Sequence, residues 1–92
     1  MIMNVVNIPW TAWSDPLHPL DQHWRDDALD CAESWLGDFG LGLLCGSKPD
    51  AWSRLDTEHW AFRFDSLGKS LVVLVTVDYD PPASCVSIEV RR

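Results

Sequence analysis

The chain has 92 residues, which is enough for one small domain and too short for a second independent core. Seven lysines and arginines against fourteen aspartates and glutamates give a net charge of −7, and such a surface repels nucleic-acid phosphates and anionic lipid headgroups. Because 47% of the residues are hydrophobic, composition predicts one folded acidic domain rather than a disordered segment, and a protein that binds neither nucleic acid nor a membrane.

Cysteine usage and the N-terminal sequence predict a cytoplasmic protein. Cys31, Cys45 and Cys85 form an odd set without a CxxC pair, so they cannot close a complete set of intramolecular disulfides. We therefore expect reduced thiols that are mostly buried. Residues 1–10 lack the basic residue that begins a secretory signal, and the longest apolar run, 71–75, is far shorter than the roughly 20 residues that cross a bilayer.

Residues 1–19 predict a strand followed by an irregular arm. Residues 2–8 are apolar and meet Pro9, which cannot donate a hydrogen bond to a sheet ladder, so this strand is expected at an edge. Trp10 and Trp13 follow in a proline-rich stretch without a period. Their rings must pack either on the core or on a partner. Since tryptophan is common at binding hot spots, both are candidate partner-binding residues.

Residues 20–36 predict the main helix. Pro19 suits a first helical turn, and Gly37 suits a stop. Five residues at helical spacing form the apolar stripe that is expected to face the core: Leu20, Trp24, Ala28, Cys31 and Trp35. Arg25 is expected to pair with Asp21, one turn earlier.

Opposite the stripe the predicted helix carries Asp26, Asp30 and Glu33, and Asp27 lies between them and the stripe; we call these four residues the acidic face. Asp26, Asp30 and Glu33 recur at i, i+4 and i+7 without an interleaved base, a like-charge spacing that costs a few tenths of a kcal/mol per pair. A solvated helix surface is the ordinary explanation of such a run. A basic partner would relieve the repulsion, so the four acids are candidate partner-binding residues.

Residues 37–58 predict a connection that contains a short helix. Ser47 followed by Asp50 resembles a helix-capping pattern, and Trp52 and Leu55 stand three residues apart. We expect one or two helical turns there, packed on the sheet.

Residues 59–92 predict a three-stranded antiparallel meander. Two segments alternate large apolar residues with small or polar ones, through the series Trp60, Phe62, Phe64 and Val86, Ile88, Val90. Residues 71–77, between them, are apolar on both faces, as in a central strand. The expected fold is α+β, with one long amphipathic helix packed on an antiparallel sheet of three to five strands. The arm, the short helix or a second subunit would cover the other face of the sheet.

The sequence has no metal or catalytic motif. The cysteines lack the spacing of a zinc site. His23, Asp27 and Cys31 recur at i, i+4 steps, but Cys31 fits the apolar stripe and the other two fit a solvated pair. We expect no metal, no cofactor and no catalytic residue, which makes a small Cys/His enzyme the least favoured alternative.

Charge distribution supports a binding role. Residues 15–38 hold seven acids and one base, so a charge of −6 out of the total of −7 belongs to the arm and the helix. We expect a small acidic module that inhibits or masks a basic site on a larger protein, such as a nucleic-acid-binding protein, in the manner of an inhibitor, an immunity protein or a phage-type anti-defence protein (an anti-CRISPR or a nucleic-acid mimic). The alternative is a homodimeric structural or chaperone-like accessory protein that buries an edge strand or a sheet face across a two-fold axis.

Overall fold

A computed structural model of the chain describes residues 8–38, 49–65, 71–80 and 84–91, with all side chains in these ranges except those of residues 35–38. Within them, one helix packs on a five-stranded antiparallel sheet whose strands follow one another in chain order, β1-β2-β3-β4-β5. The elements are β1 (Thr11–Ala12), α1 (Pro19–Asp38), β2 (Ala51–Arg54), β3 (His59–Phe64), β4 (Leu71–Asp78) and β5 (Ser84–Arg91). The α+β class and the C-terminal meander β3-β4-β5 are confirmed.

Helix α1 begins at Pro19, and His18 caps it. The Leu20 amide donates to His18 Nδ1 at 3.3 Å, and the Gln22 amide donates to the His18 carbonyl at 3.0 Å. Proline fits the first position because a first-turn amide has no partner within the helix. The helix continues past Gly37 to Asp38, since one glycine in the last turn costs only about 1 kcal/mol. No helix in the described ranges combines the length and apolar character needed to cross a bilayer.

The predicted short helix after Ser47 is wrong, because residues Ala51–Arg54 form strand β2. Trp52 lies opposite Phe62 of β3 and is buried. Asp50 does not act as a helix cap residue: its carboxylate accepts a hydrogen bond from the Asp65 amide at 2.6 Å, which ties the start of β2 to the end of β3. Burial of the Trp52 ring in the sheet outweighs the local helical signal.

Strand β4 is central in the meander, as expected of a strand that is apolar on both faces. It pairs along its length with β3 and β5. Alternate residues, Leu71, Val73, Val75 and Val77, join the core beneath α1, whereas Val72 and Leu74 join a cluster on the opposite face. Both faces of the sheet are therefore apolar at β4.

A β-bulge in β5 changes which residues face the core. Thr76 lies opposite Ser87 and Val77 lies opposite Cys85, so Val86 is the extra residue. Val86 is 59% exposed, whereas Cys85 packs against the core together with Ile88 and Val90. The expected inward position of Val86 is wrong, because strict alternation of residues along a strand cannot reveal a bulge.

Helix α1 packs through its small residues. Ala28 and Ala32 are completely buried in the main core cluster, where α1 meets the sheet at β3, β4 and β5. Leu20, which was expected on the buried stripe, is 60% exposed, because the first turn of α1 directs Asp21 toward the sheet, where it meets Arg54. The side chain of Trp35 lies outside the described residues.

A smaller cluster covers part of the second sheet face. Ile8 is buried against Ala61 and Leu74, and Trp10 and Leu55 pack at its margin. Trp10 of the predicted arm therefore covers part of this face of the sheet. The strand expected over residues 2–8 lies outside the described residues, apart from Ile8.

Candidate partner-binding surface

The acidic face lies on the side of α1 that is turned away from the sheet. Burial of Ala28 and Ala32 sets the rotation of the helix about its axis, and at 3.6 residues per turn this places the acidic face on the far side. Asp26 and Asp30 are exposed, and Asp27 and Glu33 are half-buried. The structure thus brings the four predicted acids to one surface of α1.

Two of the acids lie near a nitrogen-bearing side chain of the same helix. Asp27 Oδ2 lies 3.4 Å from Nε2 of His23, whose side chain is 73% exposed, and Asp26 Oδ1 lies 3.6 Å from a terminal nitrogen of Arg25. Ion pairs of this length and exposure contribute little to stability. Among the described residues, Asp30 has no ion-pair partner. The surface keeps a strong negative field.

Arg25 lies beneath this surface, and its interior position was missed from the sequence. The residue is 8% exposed, with its guanidinium carbon 4.0 Å from the Trp13 ring centroid and 5.5 Å from that of Trp52. One terminal nitrogen donates to the Trp13 carbonyl at 3.2 Å, and Nε has no partner. The sequence does contain a pattern that indicates this interior position, because Arg25 stands at i, i+3, i+7 spacing with Ala28 and Ala32.

Arg54 of β2 takes the partner that was expected for Arg25. Its guanidinium donates to Asp21 Oδ1 at 2.8 Å, so the predicted Asp21–Arg25 pair is wrong. Its guanidinium carbon also lies 4.9 Å from the Trp24 ring centroid and 5.3 Å from that of Trp60. Aromatic rings therefore hold both Arg25 and Arg54 between α1 and the sheet. Each cation–π contact is worth about 0.5–2 kcal/mol.

Trp10 and Trp13 lie on opposite faces of the sheet. Trp13 packs with the α1-side core, where its ring centroid is 6.0 Å from that of Phe62. Trp10 joins the second cluster, and the Arg63 guanidinium carbon lies 5.3 Å from its ring centroid. The structure brings Trp13 to the layer beneath the acidic face and places Trp10 elsewhere.

Cys31 of α1 and Cys85 of β5 meet beside Asp30. With Asp30 and Ser34 their side chains line an open cleft of about 370 Å³, and the Cys85 thiol donates to the Ser87 carbonyl at 3.8 Å. Both are free thiols and both are half-buried. Burial is the main cause that raises the pKa of Cys31 and raises the pKa of Cys85 to about 11. This juxtaposition has no signal in the sequence, because the two cysteines are far apart along the chain.

A close His–Asp pair lies at the β2–β3 turn. His59 Nδ1 is 2.6 Å from Asp56 Oδ1, and the Glu58 amide donates to the same oxygen at 2.9 Å. Burial acts to raise the pKa of Asp56, but the hydrogen bonds from His59 and Glu58 together outweigh it and lower that pKa. The Leu55 amide also donates to the His59 carbonyl at 2.8 Å, so the pair serves to close the turn.

Within the described ranges, no three His, Cys, Asp or Glu side chains lie close enough together to hold a metal ion. No family model matches the chain, and comparison with curated proteins and with solved structures finds no match either.

Proposed function

We propose that the protein is a small acidic binding module of the cytoplasm that occupies a basic site on a larger protein and thereby inhibits or masks it. The observation that supports this proposal is the separation of charge across α1. Asp26 and Asp30 are exposed on its outer side, while Arg25 and Arg54 are turned into the aromatic layer below. These two arginines neutralise little of the acidic face, since Arg25 reaches Asp26 only at 3.6 Å and Arg54 pairs with Asp21.

Electrostatics gives such a surface its advantage in association. The acids of α1 repel one another in the free protein, and a partner rich in arginine and lysine would replace that repulsion with attraction. Clustered charge also steers the encounter and raises the association rate at low salt. A nucleic-acid-binding protein offers a basic site of this kind, which the acidic face would occupy in place of phosphates.

Contacts between α1 and the sheet also favour the proposal, because a surface that is anchored before binding lowers the entropy cost of association. The Tyr79 hydroxyl, just after β4, donates to the Trp24 carbonyl of α1 at 2.9 Å, and the two rings lie 5.6 Å apart. Together with the buried contacts of Ala28 and Ala32, this bond fixes α1 on the sheet.

The experiment compares two triple variants with the same change in net charge. One removes acidic-face charges through Asp26→Asn, Asp30→Asn and Glu33→Gln. The control removes exposed acids elsewhere through Asp15→Asn, Glu58→Gln and Asp80→Asn. A stoichiometric partner captured from the native host by the wild-type protein is purified, and its affinity for each variant is measured by calorimetry.

We expect the acidic-face variant to bind about tenfold or more weakly, since each exposed ion pair is worth up to about 1 kcal/mol. The control is expected to bind within about twofold of the wild type. Equal affinities of the two variants would contradict the proposal, whether both bind normally or both bind weakly.

A homodimeric structural or chaperone-like accessory protein is the second candidate, and strand β5 favours it. β5 is eight residues long and ends the strand order of the described sheet, with Val86 exposed at its bulge. An edge strand is a ready template for pairing with a second chain. A monomer in light scattering at tens of micromolar would exclude this alternative, whereas a dimer that Val86→Lys dissociates would support it.

A further inference from the structure

Cys31 and Cys85 form a thiol pair that the proposed binding function does not use. They belong to different elements, α1 and β5, and both pack against the same core cluster. Both side chains open into the cleft beside Asp30 and Ser34. A small reagent in that cleft can reach both sulfurs.

We propose that Cys31 and Cys85 are an oxidation site at which a small cationic disulfide compound installs a reversible disulfide bond between α1 and β5. This inference is independent of the proposed binding function. Disulfides need Cα atoms within about 7 Å and side chains that point toward each other, and two thiols that line one small cleft from adjoining elements approach that requirement.

The chemistry is two consecutive exchange steps. Cys31 loses its proton to water, and its thiolate attacks one sulfur of the reagent, so that a mixed disulfide forms and one reagent thiolate leaves. Cys85 then loses its proton, and its thiolate attacks the Cys31 sulfur, which forms the Cys31–Cys85 bond and releases the second reagent thiolate. The protein gives up two electrons and two protons, and the reagent is reduced to two thiols.

Cys31 is the first nucleophile because Asp30, its neighbour in α1, also lines the cleft, so a cationic reagent held by that carboxylate meets Cys31 first. Burial raises the pKa of both thiols, and it raises that of Cys85 to about 11. Asp27 and Asp30 add a negative field at Cys31. That field attracts a cationic reagent and repels an anionic one, which gives the site its selectivity.

The test treats the reduced full-length chain with cystamine, alkylates the remaining thiols and maps the peptides by mass spectrometry. Before alkylation, we expect a product lighter by two hydrogen masses, whose starting mass dithiothreitol restores. After alkylation, the peptide map should show Cys31 joined to Cys85 and Cys45 alkylated. Cys45→Ser must give the same cross-link, and Cys85→Ser must stop at a mixed disulfide on Cys31. A main product that joins Cys45, or stable mixed disulfides at both positions in the wild type, would overturn the proposal.

A second measurement tests the role of the acids. Cystamine is compared with dithiodiglycolate, a small disulfide with two carboxylates, by the initial rate of Cys31 modification. The wild type should react severalfold faster with cystamine, and Asp30→Asn should reduce that ratio. An unchanged ratio in Asp30→Asn, or faster reaction with dithiodiglycolate, would refute the selectivity for cations.

Discussion

The guanidinium carbon of Arg25 lies 4.0 Å from the centre of the Trp13 ring. This contact holds the segment before α1 against the core. The same guanidinium donates to the Trp13 carbonyl, which holds the arm by its backbone as well as by its ring. One residue therefore fastens the segment before α1 and fills the space beneath the acidic face.

Replacing Arg25 should test how much its contacts with Trp13 stabilise the fold. Arg25→Ala removes the packing of a buried stem together with the contacts to Trp13 and Trp52, so we expect a loss of about 2–3 kcal/mol in the free energy of unfolding. Arg25→Met keeps most of the stem and should cost about 1 kcal/mol less. Urea denaturation of both variants provides the measurement. A cost below about 0.5 kcal/mol for Arg25→Ala would contradict the interior position of this residue.

The Asp21–Arg54 pair should be worth more than an exposed pair of the same length. Its nitrogen–oxygen distance is 2.8 Å with both side chains partly buried, whereas the Glu89–Arg91 pair on β5 spans 2.7 Å in a more exposed position. Double-mutant cycles should give a coupling of about 1 kcal/mol for Asp21–Arg54 and less than about 0.5 kcal/mol for Glu89–Arg91. Equal couplings would show that burial does not strengthen the first pair.

The bulge in β5 predicts opposite responses at Val86 and Ile88. Val86 is exposed, so Val86→Ser should change the free energy of unfolding by less than about 0.5 kcal/mol. Ile88 packs on the core and lies opposite Val75, so Ile88→Ala should cost about 1–2 kcal/mol. Chemical denaturation of the two variants decides the register, because a strand without the bulge would make Val86 the costly position.

Tyr79 should ionise only at high pH. Burial is the main cause that raises its pKa to about 12, and nearby Trp60 and Arg54 offset this only in part. The folded state then holds the proton more tightly than the unfolded state, so this contribution to stability is complete below about pH 10 and is lost as the pH rises toward 12. Tyr79 is the only tyrosine, so ultraviolet titration reports it directly. A midpoint near 10 would mean that the phenol is not buried against α1.

Much of the fold follows from periodic patterns in the sequence. Pro19 and the stripe that contains Trp24, Ala28 and Cys31 predict α1, and the alternation of Trp60, Phe62 and Phe64 predicts β3 beside an apolar central strand. These signals are local, because each depends only on the period of one element.

The parts that could not be predicted depend on contacts between distant segments. Trp52 is drawn into a strand by pairing with β3, and Val86 is displaced by a bulge that only the partner strand reveals. For the candidate site, the acidic face follows from helical geometry. The meeting of Cys31 with Cys85 needs the tertiary fold.

The most direct test of the account is the salt dependence of association between the protein and its captured partner, measured by stopped flow for the wild type and for the acidic-face triple variant. We predict that the association rate constant of the wild type falls steeply as salt rises, and that the variant associates more slowly at low salt with a much shallower dependence. Identical rates and identical salt dependence for the two proteins would contradict a binding role for the acidic face.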